Sequence, residues 1–308
     1  MIDILLAAYN GEKYIARQLE SLLEQTCQDF TLRICDDCST DRTADIIYHY
    51  AKRYPNKIVF TVNEKNSGSA AFNFFKLLQN STADYVMFCD QDDVWFKDKV
   101  ELSLEKIRQA EDNYGSGTPI LLHTDLTVTD GELNTISPSM FALQQLNFEQ
   151  TAVNNLAVQN IVTGCTMMLN RELVNRLTYI PVSVPVHDWW IALYTACCGK
   201  IVFYDRPTLF YRQHTTNVCG AQDMSDMGYI TARAGQKDRS RLMLRYGYRQ
   251  AAEMARVYAG TLGQENYALL RGYGELENKP YLKKLAFVIK HKVFKSGIIR
   301  KLGQLIYM

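Results

Sequence analysis

The sequence predicts an α/β fold: a mostly parallel central sheet with helices on both faces, followed by a helical C-terminal region. Three observations predict it. Short apolar runs alternate with helical patterns through roughly the first hundred residues, each run stops at a cluster of polar residues, and beyond about Ser225 the β-branched runs give way to long helical patterns.

Taken in order, Ile2–Tyr9, Thr31–Asp36, Ile58–Asn63 and Tyr85–Asp90 read as strands. Between them lie helical patterns near Glu12–Gln25, Thr40–Tyr54 and Ser69–Gln79. The second has Ser39 placed as an N-cap ahead of Ala44, Ile47, Tyr48 and Ala51. Alternation of this kind builds parallel strands joined by crossover helices, and ligands of such sheets sit beyond the carboxyl ends of the strands. All four ends are polar here: Tyr9, Asn10, Gly11 and Glu12; Asp36, Asp37, Ser39, Thr40 and Asp41; Asn63, Asn66, Ser67 and Gly68; then Asp90, Asp92 and Asp93. Turn chemistry favours such residues one at a time, but four polar rims together point to a ligand. Further on, Pro119–Asp130 and Asn160–Asn170 read as strands, Val186–Gly199 as a helix starting near Asp188, and the stretches "KIVFYD" and "PTLFYRQH" as strands again.

The 308 residues are 47% hydrophobic, an ordinary globular composition, and the formal net charge is +1. That balance hides an asymmetry. The segment from Lys279 to Met308 carries eight Lys or Arg and no acid, so the rest of the chain is net negative, and no nucleic-acid partner is expected. The N-terminus has Asp3, no basic leader and a direct entry into a strand, which argues against a signal peptide. No stretch approaches the roughly 18 apolar residues of a membrane span. Eight cysteines are scattered, several inside apolar runs, as in a reduced, cytoplasmic protein. The spacing of Cys35 and Cys38 matches a redox pair, but two acids at a strand end replace the helix that such a motif opens.

Asp90, Asp92 and Asp93 place three carboxylates in four positions at a strand end. Two readings stand on the residues alone. One is a hard divalent cation, Mg²⁺ or Mn²⁺, held by carboxylates and by the oxygens of a nucleoside diphosphate. The other is a solvated acidic turn at a helix N-terminus.

Four motifs in order, "LLAAYNGEKYIARQLESLLEQT", "ICDDCSTDRTADII", "NSGSAAFNF" and "CDQDDVW", resemble the nucleotide-diphosphosugar glycosyltransferases of family 2, which have the GT-A fold. The resemblance covers roughly the first 215 residues. It implies a nucleotide-sugar-binding half over residues 1–95 and an acceptor-binding and catalytic half over 96–220; the helical patterns beyond make 221–308 a helical C-terminal region. It also implies that Ala8, Tyr9, Asn10 and Glu12 line the nucleoside pocket, that Asp36 or Asp37 hydrogen-bonds the pyrimidine, and that Asn66 lies on the donor side. Asp90 and Asp92 would be the DxD pair that touches ribose and metal, with Asp93 beside them.

The stretch "HDWW" supplies the second chemical signal. Inverting transfer needs a base for the acceptor hydroxyl. The resemblance assigns that role to Asp188, although His187 replaces the more common acid before it. Trp189 and Trp190 would cover a sugar ring and exclude water; alternatively Asp188 caps a helix and both tryptophans are core. In "YRQH", the resemblance implies that Arg212 clamps the diphosphate with its planar fork and that His214 is a metal ligand beside Asp92 and Asp93 or a contact to the leaving phosphate; alternatively both are solvated loop residues. Gly164 would allow a substrate close to the backbone, or only ease a strand bend.

The later motifs "HDWW", "GKIVFYDRPTLFYRQH" and "NVCG" look most like bacterial rhamnosyltransferases that use dTDP-L-rhamnose. Donor identity rests on that resemblance alone; UDP-glucose, UDP-galactose or a UDP-N-acetylhexosamine fits the same architecture. The basic tail mixes Lys and Arg with Leu, Phe, Val and Ile at helical spacing; that pattern suits a segment lying on an anionic membrane surface, or else a C-terminal helix packed on the catalytic domain with a solvated basic side, and the first reading is preferred here. The expected setting is therefore peripheral, at the inner face of the plasma membrane, with a lipid-linked glycan as acceptor. Self-association through the last helices is left open. Asp90, Asp92 and Val94 also match the DxDxV of haloacid-dehalogenase-like phosphohydrolases, but three strand-helix units precede them here. A single glycine after Tyr9 excludes the dinucleotide fingerprint, and a non-catalytic sugar-nucleotide binder would have no use for Asp188.

Overall fold

The computed structural model describes residues 1–214 and 237–308. The stretch "NVCG", Asn217–Gly220, and the expected change of character at Ser225 lie outside the described residues. The chain divides into two compact units. The first comprises Met1–Met140, Val162–Ile180 and Lys200–Gly220, and the second Phe141–Ile161, Pro181–Gly199 and Ala221–Met308.

In the first unit, β1 (Ile2–Ala8), β2 (Phe30–Asp36), β3 (Ile58–Val62) and β4 (Tyr85–Cys89) are parallel. Helices α1 (Ile15–Leu23), α2 (Thr43–Arg53) and α3 (Ala70–Gln79) alternate with them. Burial on both faces explains the unbroken apolar runs: Ile4, Leu5 and Leu6 of β1 are all fully buried. Register then sets the site. Ala8 pairs with Asp36 and Leu6 with Cys89, so the polar residues after β1, β2 and β4 emerge at one edge.

The second half of the sheet is mixed. It contains β5 (Val94–Trp95), β6 (Ile120–Thr129), β7 (Thr135–Ser137), β8 (Met167–Asn170) and β9 (Lys200–Arg212), with α4 (Lys99–Tyr114) packed on β6, β8 and β9. The order across the sheet is β3-β2-β1-β4-β8-β6-β9-β5, with β7 on β6. Strand β8 is antiparallel to both neighbours, Met168 pairing with Met87 and with Leu122. Strand β5 is antiparallel to β9, Val94 opposite Phe210, and that pairing brings Arg212 beside Asp93.

Several boundaries differ from those read in the sequence. Helix α2 begins at Thr43 after Arg42, because Ser39 turns its hydroxyl back onto Asp36 instead of capping a helix. Helix α1 begins at Ile15, since Asn10, Gly11 and Glu12 are tied to the neighbouring rim. Ser69 does cap α3, its hydroxyl accepting from the Phe72 amide at 3.2 Å. Only the last four residues of Asn160–Asn170 form a strand, preceded by a 3-10 turn at Gly164–Thr166. The two late strands are one, β9, which carries Pro207 where its pairing with β6 shifts register at Asp125; a bulge is where a strand tolerates a residue with no N–H.

Among its described residues the second unit is helical. The short α5 (Met140–Leu143) leads into it, and α7 (Arg171–Arg176) belongs to the first unit. Its own helices are α6 (Val153–Leu156), α8 (His187–Cys198), α9 (Lys237–Val257), α10 (Gln264–Gly274), α11 (Tyr281–His291) and α12 (Ile298–Tyr307). Long α9 packs against α10 and α12. A side chain at Gly247 of α9 would sit 2.9 Å from the Ala157 carbonyl, so only glycine allows this approach. No helix among the described residues is long and apolar enough to cross a membrane.

Candidate active site

The rims after β1 and β2 are joined by hydrogen bonds that alternate between the two loops. The Asn10 amide donates to Ser39 Oγ at 2.9 Å, the Thr40 amide to Asn10 Oδ1 at 2.8 Å, and the Gly11 amide to Thr43 Oγ1 at 2.7 Å. The Glu12 amide donates to Asp41 Oδ2, and Glu12 Oε2 accepts from the Arg42 amide at 3.0 Å. Asn10 and Cys38 hold left-handed backbones, φ 48° and 60°, conformations that non-glycine residues adopt only when their surroundings fix them. Tyr9 is left exposed at this edge and Ala8 is buried beneath it.

Asp36 and Asp37 of the β2 rim turn inward. Asp36 takes the Ser39 amide on Oδ2 and the Ser39 hydroxyl on Oδ1. Asp37 takes Asn63 Nδ2 and the Ser67 amide on Oδ1 and the Ser67 hydroxyl on Oδ2. Burial alone would push the Asp37 carboxyl up, but these donors from Asn63 and Ser67 outweigh it and hold it below the usual range. Asn66 is likewise used within the loop, donating to the Asp37 carbonyl and accepting from the Gly68 amide.

The acidic turn after β4 lies beside the first rim. Gln91, between Asp90 and Asp92, accepts from the Tyr9 amide and donates to the Tyr9 carbonyl, each at 2.9 Å. A β-carbon on Gly11 would collide with the Gln91 amide group where it now sits, so the glycine leaves room for this clamp. Asp92 Oδ2 lies 2.8 Å from His214 Nε2. Arg212 is buried: its amide donates to Asp93 Oδ1 at 3.3 Å, its Nε to the Asp92 carbonyl at 2.9 Å, and its Nη1 to the Gly131 carbonyl. Tyr14 stacks on the His214 ring with centroids 4.9 Å apart, and the Arg212 guanidinium lies 4.7 Å from the Tyr14 centroid. Gln91 and Tyr14 escaped the sequence reading. A glutamine inside "DQDD" and a tyrosine before a helix carry no local signal, since their roles exist only once β9 and the β1 rim arrive.

Asp93 is the most confined of the three acids, 1% exposed, and its Oδ2 accepts no hydrogen bond among the described residues. Burial, then the charges of Asp92 and Asp90, push its carboxyl well above the usual range. Asp90, Asp93 and Cys165 bring potential ligand atoms within 4.8 Å of one another. Burial also drives the Cys165 thiol well above its ordinary range, and only a thiolate is a good ligand, so the sulfur is a neutral floor to the site. What remains is an oxygen-rich donor set with one imidazole, which fits Mg²⁺ or Mn²⁺. Beneath it, the fully buried Lys99 donates to Thr208 Oγ1 at 3.0 Å, and burial lowers its ammonium to about 8.

Asp188 belongs to the second unit. It lies in the first turn of α8 after the capping position Val186, and its Oδ1 accepts from Asn160 Nδ2 at 2.9 Å. The approach to that turn is held by α9, whose Glu253 accepts from the Val182 and Ser183 amides at 3.0 and 2.9 Å. His187 is buried, which lowers its imidazole to about 3 and keeps it neutral. Trp189 and Trp190 are 4% and 0% exposed, and the Trp189 ring N–H donates to the Leu156 carbonyl at 2.6 Å. Gly164 is buried in the first unit, opening the 3-10 turn that precedes β8.

A sheet of this order, with acids at the end of β4 and a helical C-terminal region, is the architecture of a GT-A nucleotide-sugar transferase. The family model for glycosyl transferase family 2 matches residues 3–178, and the chain belongs to that family. Among its relatives, the dTDP-rhamnosyl transferase RfbG of Shigella flexneri is 29% identical over 70% of this chain and 74% of its own length. The teichuronic acid biosynthesis glycosyltransferase TuaG of Bacillus subtilis, an assignment itself marked putative, is 30% identical over 58% and 65%. The UDP-Glc:alpha-D-GlcNAc-diphosphoundecaprenol beta-1,3-glucosyltransferase WfgD of Escherichia coli is 23% identical over 63% and 69%. The fold matches S. aureus TarS in complex with UDP-GlcNAc, with TM-score 0.57, 17% identity, and coverage of 94% of this chain and 80% of that one. It also matches the mannosyltransferase PcManGT of Pyrobaculum calidifontis in complex with GDP-Man and Mn²⁺, with TM-score 0.55, 16% identity, and coverage of 95% and 86%.

Proposed function

We propose that this family 2 glycosyltransferase transfers L-rhamnose from dTDP-L-rhamnose, with inversion, to a hydroxyl of a lipid-linked saccharide during cell-surface polysaccharide synthesis. The observation that carries the donor half is the acidic turn after β4, with His214 on Asp92 and a buried, unsatisfied oxygen on Asp93. Asp92, Asp93 and His214 would hold a divalent cation over the neutral Cys165, with Asp90 beside them. Such a cation, when bound, offsets the charge of the departing diphosphate. The chain's own part is to fix the donor: the interlocked rims carry Tyr9 and Asn10 along the nucleoside, and Asp36 and Asp37 hold the loops that frame the base.

The proton of the acceptor hydroxyl goes to Asp188, whose Asn160 partner orients the carboxylate. With both indole faces closed off, Trp189 and Trp190 serve this step by fixing the first turn of α8. Rhamnose is favoured by the likeness to RfbG, and a lipid-linked diphosphate acceptor by the name of WfgD. That same relative and TarS keep UDP sugars as the competing donor class, which a melting-temperature panel of dTDP, UDP and GDP sugars would separate. The chemical step is tested by Asp188→Asn. Sugar transfer should fall by at least about a thousandfold with dTDP affinity intact, and unchanged turnover would remove Asp188 from the role.

A further inference from the structure

The helical unit holds a cluster of cations that glycosyl transfer does not use. Arg241 and Arg245 lie four residues apart on α9, so both side chains leave the same face of the helix. With Lys284 of α11 they line a cavity of about 200 Å³, walled also by Tyr248 and by Tyr307 of α12. Glu277 is the acidic side chain at this cavity, and it is already held by Arg249, Nη2 to Oε1 at 2.8 Å. Lys284 reaches the Glu277 main-chain carbonyl at 3.2 Å rather than the carboxylate. Burial, with Arg245 adding to it, lowers the Lys284 ammonium against the pull of Glu277. Neither the Arg241 nor the Arg245 side chain makes an ion pair or hydrogen bond among the described residues. Three cations and one acidic side chain face this cavity, which Met308 also lines, and an anion with several oxygens would meet two planar guanidinium forks there.

The surroundings say where that anion comes from. Ile298, Leu302 and Ile306 repeat every four residues along α12 and are 78%, 54% and 68% exposed; on α11, Leu282 and Ile289 are exposed as well. Lys283, Lys290, Lys292 and Lys301 are exposed among them. A helix that leaves an isoleucine–leucine stripe bare among lysines has the pattern of one lying in a lipid interface, apolar face toward the acyl chains and cations at the headgroups. Tyr307, next to Ile306, joins that helix to the cavity.

We propose that the cavity lined by Arg241, Arg245 and Lys284 binds the phosphate of an anionic lipid headgroup while the Ile298–Leu302–Ile306 stripe of α12 enters the acyl boundary. The site deepens the membrane-surface part of the proposed function and rests on no assumption about donor or chemistry. The test is co-sedimentation of the full chain with phosphatidylcholine vesicles, with and without phosphatidylglycerol. The chain should bind the anionic vesicles selectively, R241A/R245A should lose roughly tenfold or more in affinity, and Leu302→Asp should release the protein. Both variants should keep their helical circular dichroism. Equal binding to neutral vesicles, or a double variant that binds as the parent does, would overturn the site. So would an Arg241-dependent rise in melting temperature with inorganic phosphate and no vesicle binding, which assigns the cavity to a soluble phosphate. Binding of dTDP, measured alongside, keeps failure here distinct from failure of the glycosyltransferase reading.

Discussion

The imidazole Nε2 of His214 lies 2.8 Å from Asp92 Oδ2, across 122 residues of chain. Strand β9 delivers His214 to that carboxylate, and Tyr14 stacks on the ring to fix its plane. A carboxylate and an imidazole held together in this way act as a unit, whether the ring contacts the cation or only orients the acid. His214→Ala should therefore lower metal-dependent transfer by roughly 10–100-fold. Tyr14→Leu should move activity in the same direction with less effect, since it removes the stack and leaves the donors. Steady-state assays against Mn²⁺ concentration would read both, and an unchanged Mn²⁺ dependence in His214→Ala would exclude the pair from the site.

The clamp between Gln91 and the Tyr9 backbone makes a separate prediction. Gly11→Ala puts a methyl group where the Gln91 amide now sits. Loss of both hydrogen bonds should cost about 1–3 kcal/mol in urea unfolding and weaken dTDP binding along with it. Gln91→Leu should reproduce the binding defect without the clash, so a normal affinity in that variant would show that the clamp does not shape the nucleoside side.

Stability should fall in acid for an identifiable reason. His123, fully buried on β6 against the Phe203 ring, and His187, buried at the start of α8, both have burial-depressed imidazoles near 3. The unfolded chain takes up these protons near pH 6.5 and the folded chain does not. The contribution is therefore whole above pH 6.5 and is lost as pH falls through the window toward 3. Between pH 7 and 5 each histidine should cost about 2 kcal/mol. Denaturation midpoints at the two pH values, compared with those of His123→Leu, would check the size, and a His123→Leu protein with the same pH slope as the parent would refute the account.

How much of this was legible in the sequence follows from how local each feature is. Runs such as Ile2–Ala8 and Tyr85–Cys89, buried on both faces, announce themselves as apolar stretches, and the polar rims after them follow from the placement of ligands in parallel sheets. Ser39 misled, because in the folded rim its hydroxyl is better used by Asp36 than by a helix end. Nor does the sequence show that β8 enters antiparallel between β4 and β6, or that Cys165 ends up under Asp93. Those depend on pairings between segments far apart in the chain, as do the roles of Gln91 and Tyr14. Trp189 and Trp190 looked like a sugar platform on type and spacing, yet their exposed area, which only packing decides, is almost nil.

The central claim is that the acids after β4 bind a divalent cation together with a nucleoside diphosphate. Titration calorimetry of dTDP into the protein, with and without Mn²⁺, tests it most directly. Affinity should rise at least tenfold with Mn²⁺ and the gain should vanish in Asp92→Ala. Equal affinity with and without the ion in the parent protein, or a full Mn²⁺ gain in Asp92→Ala, would contradict the account.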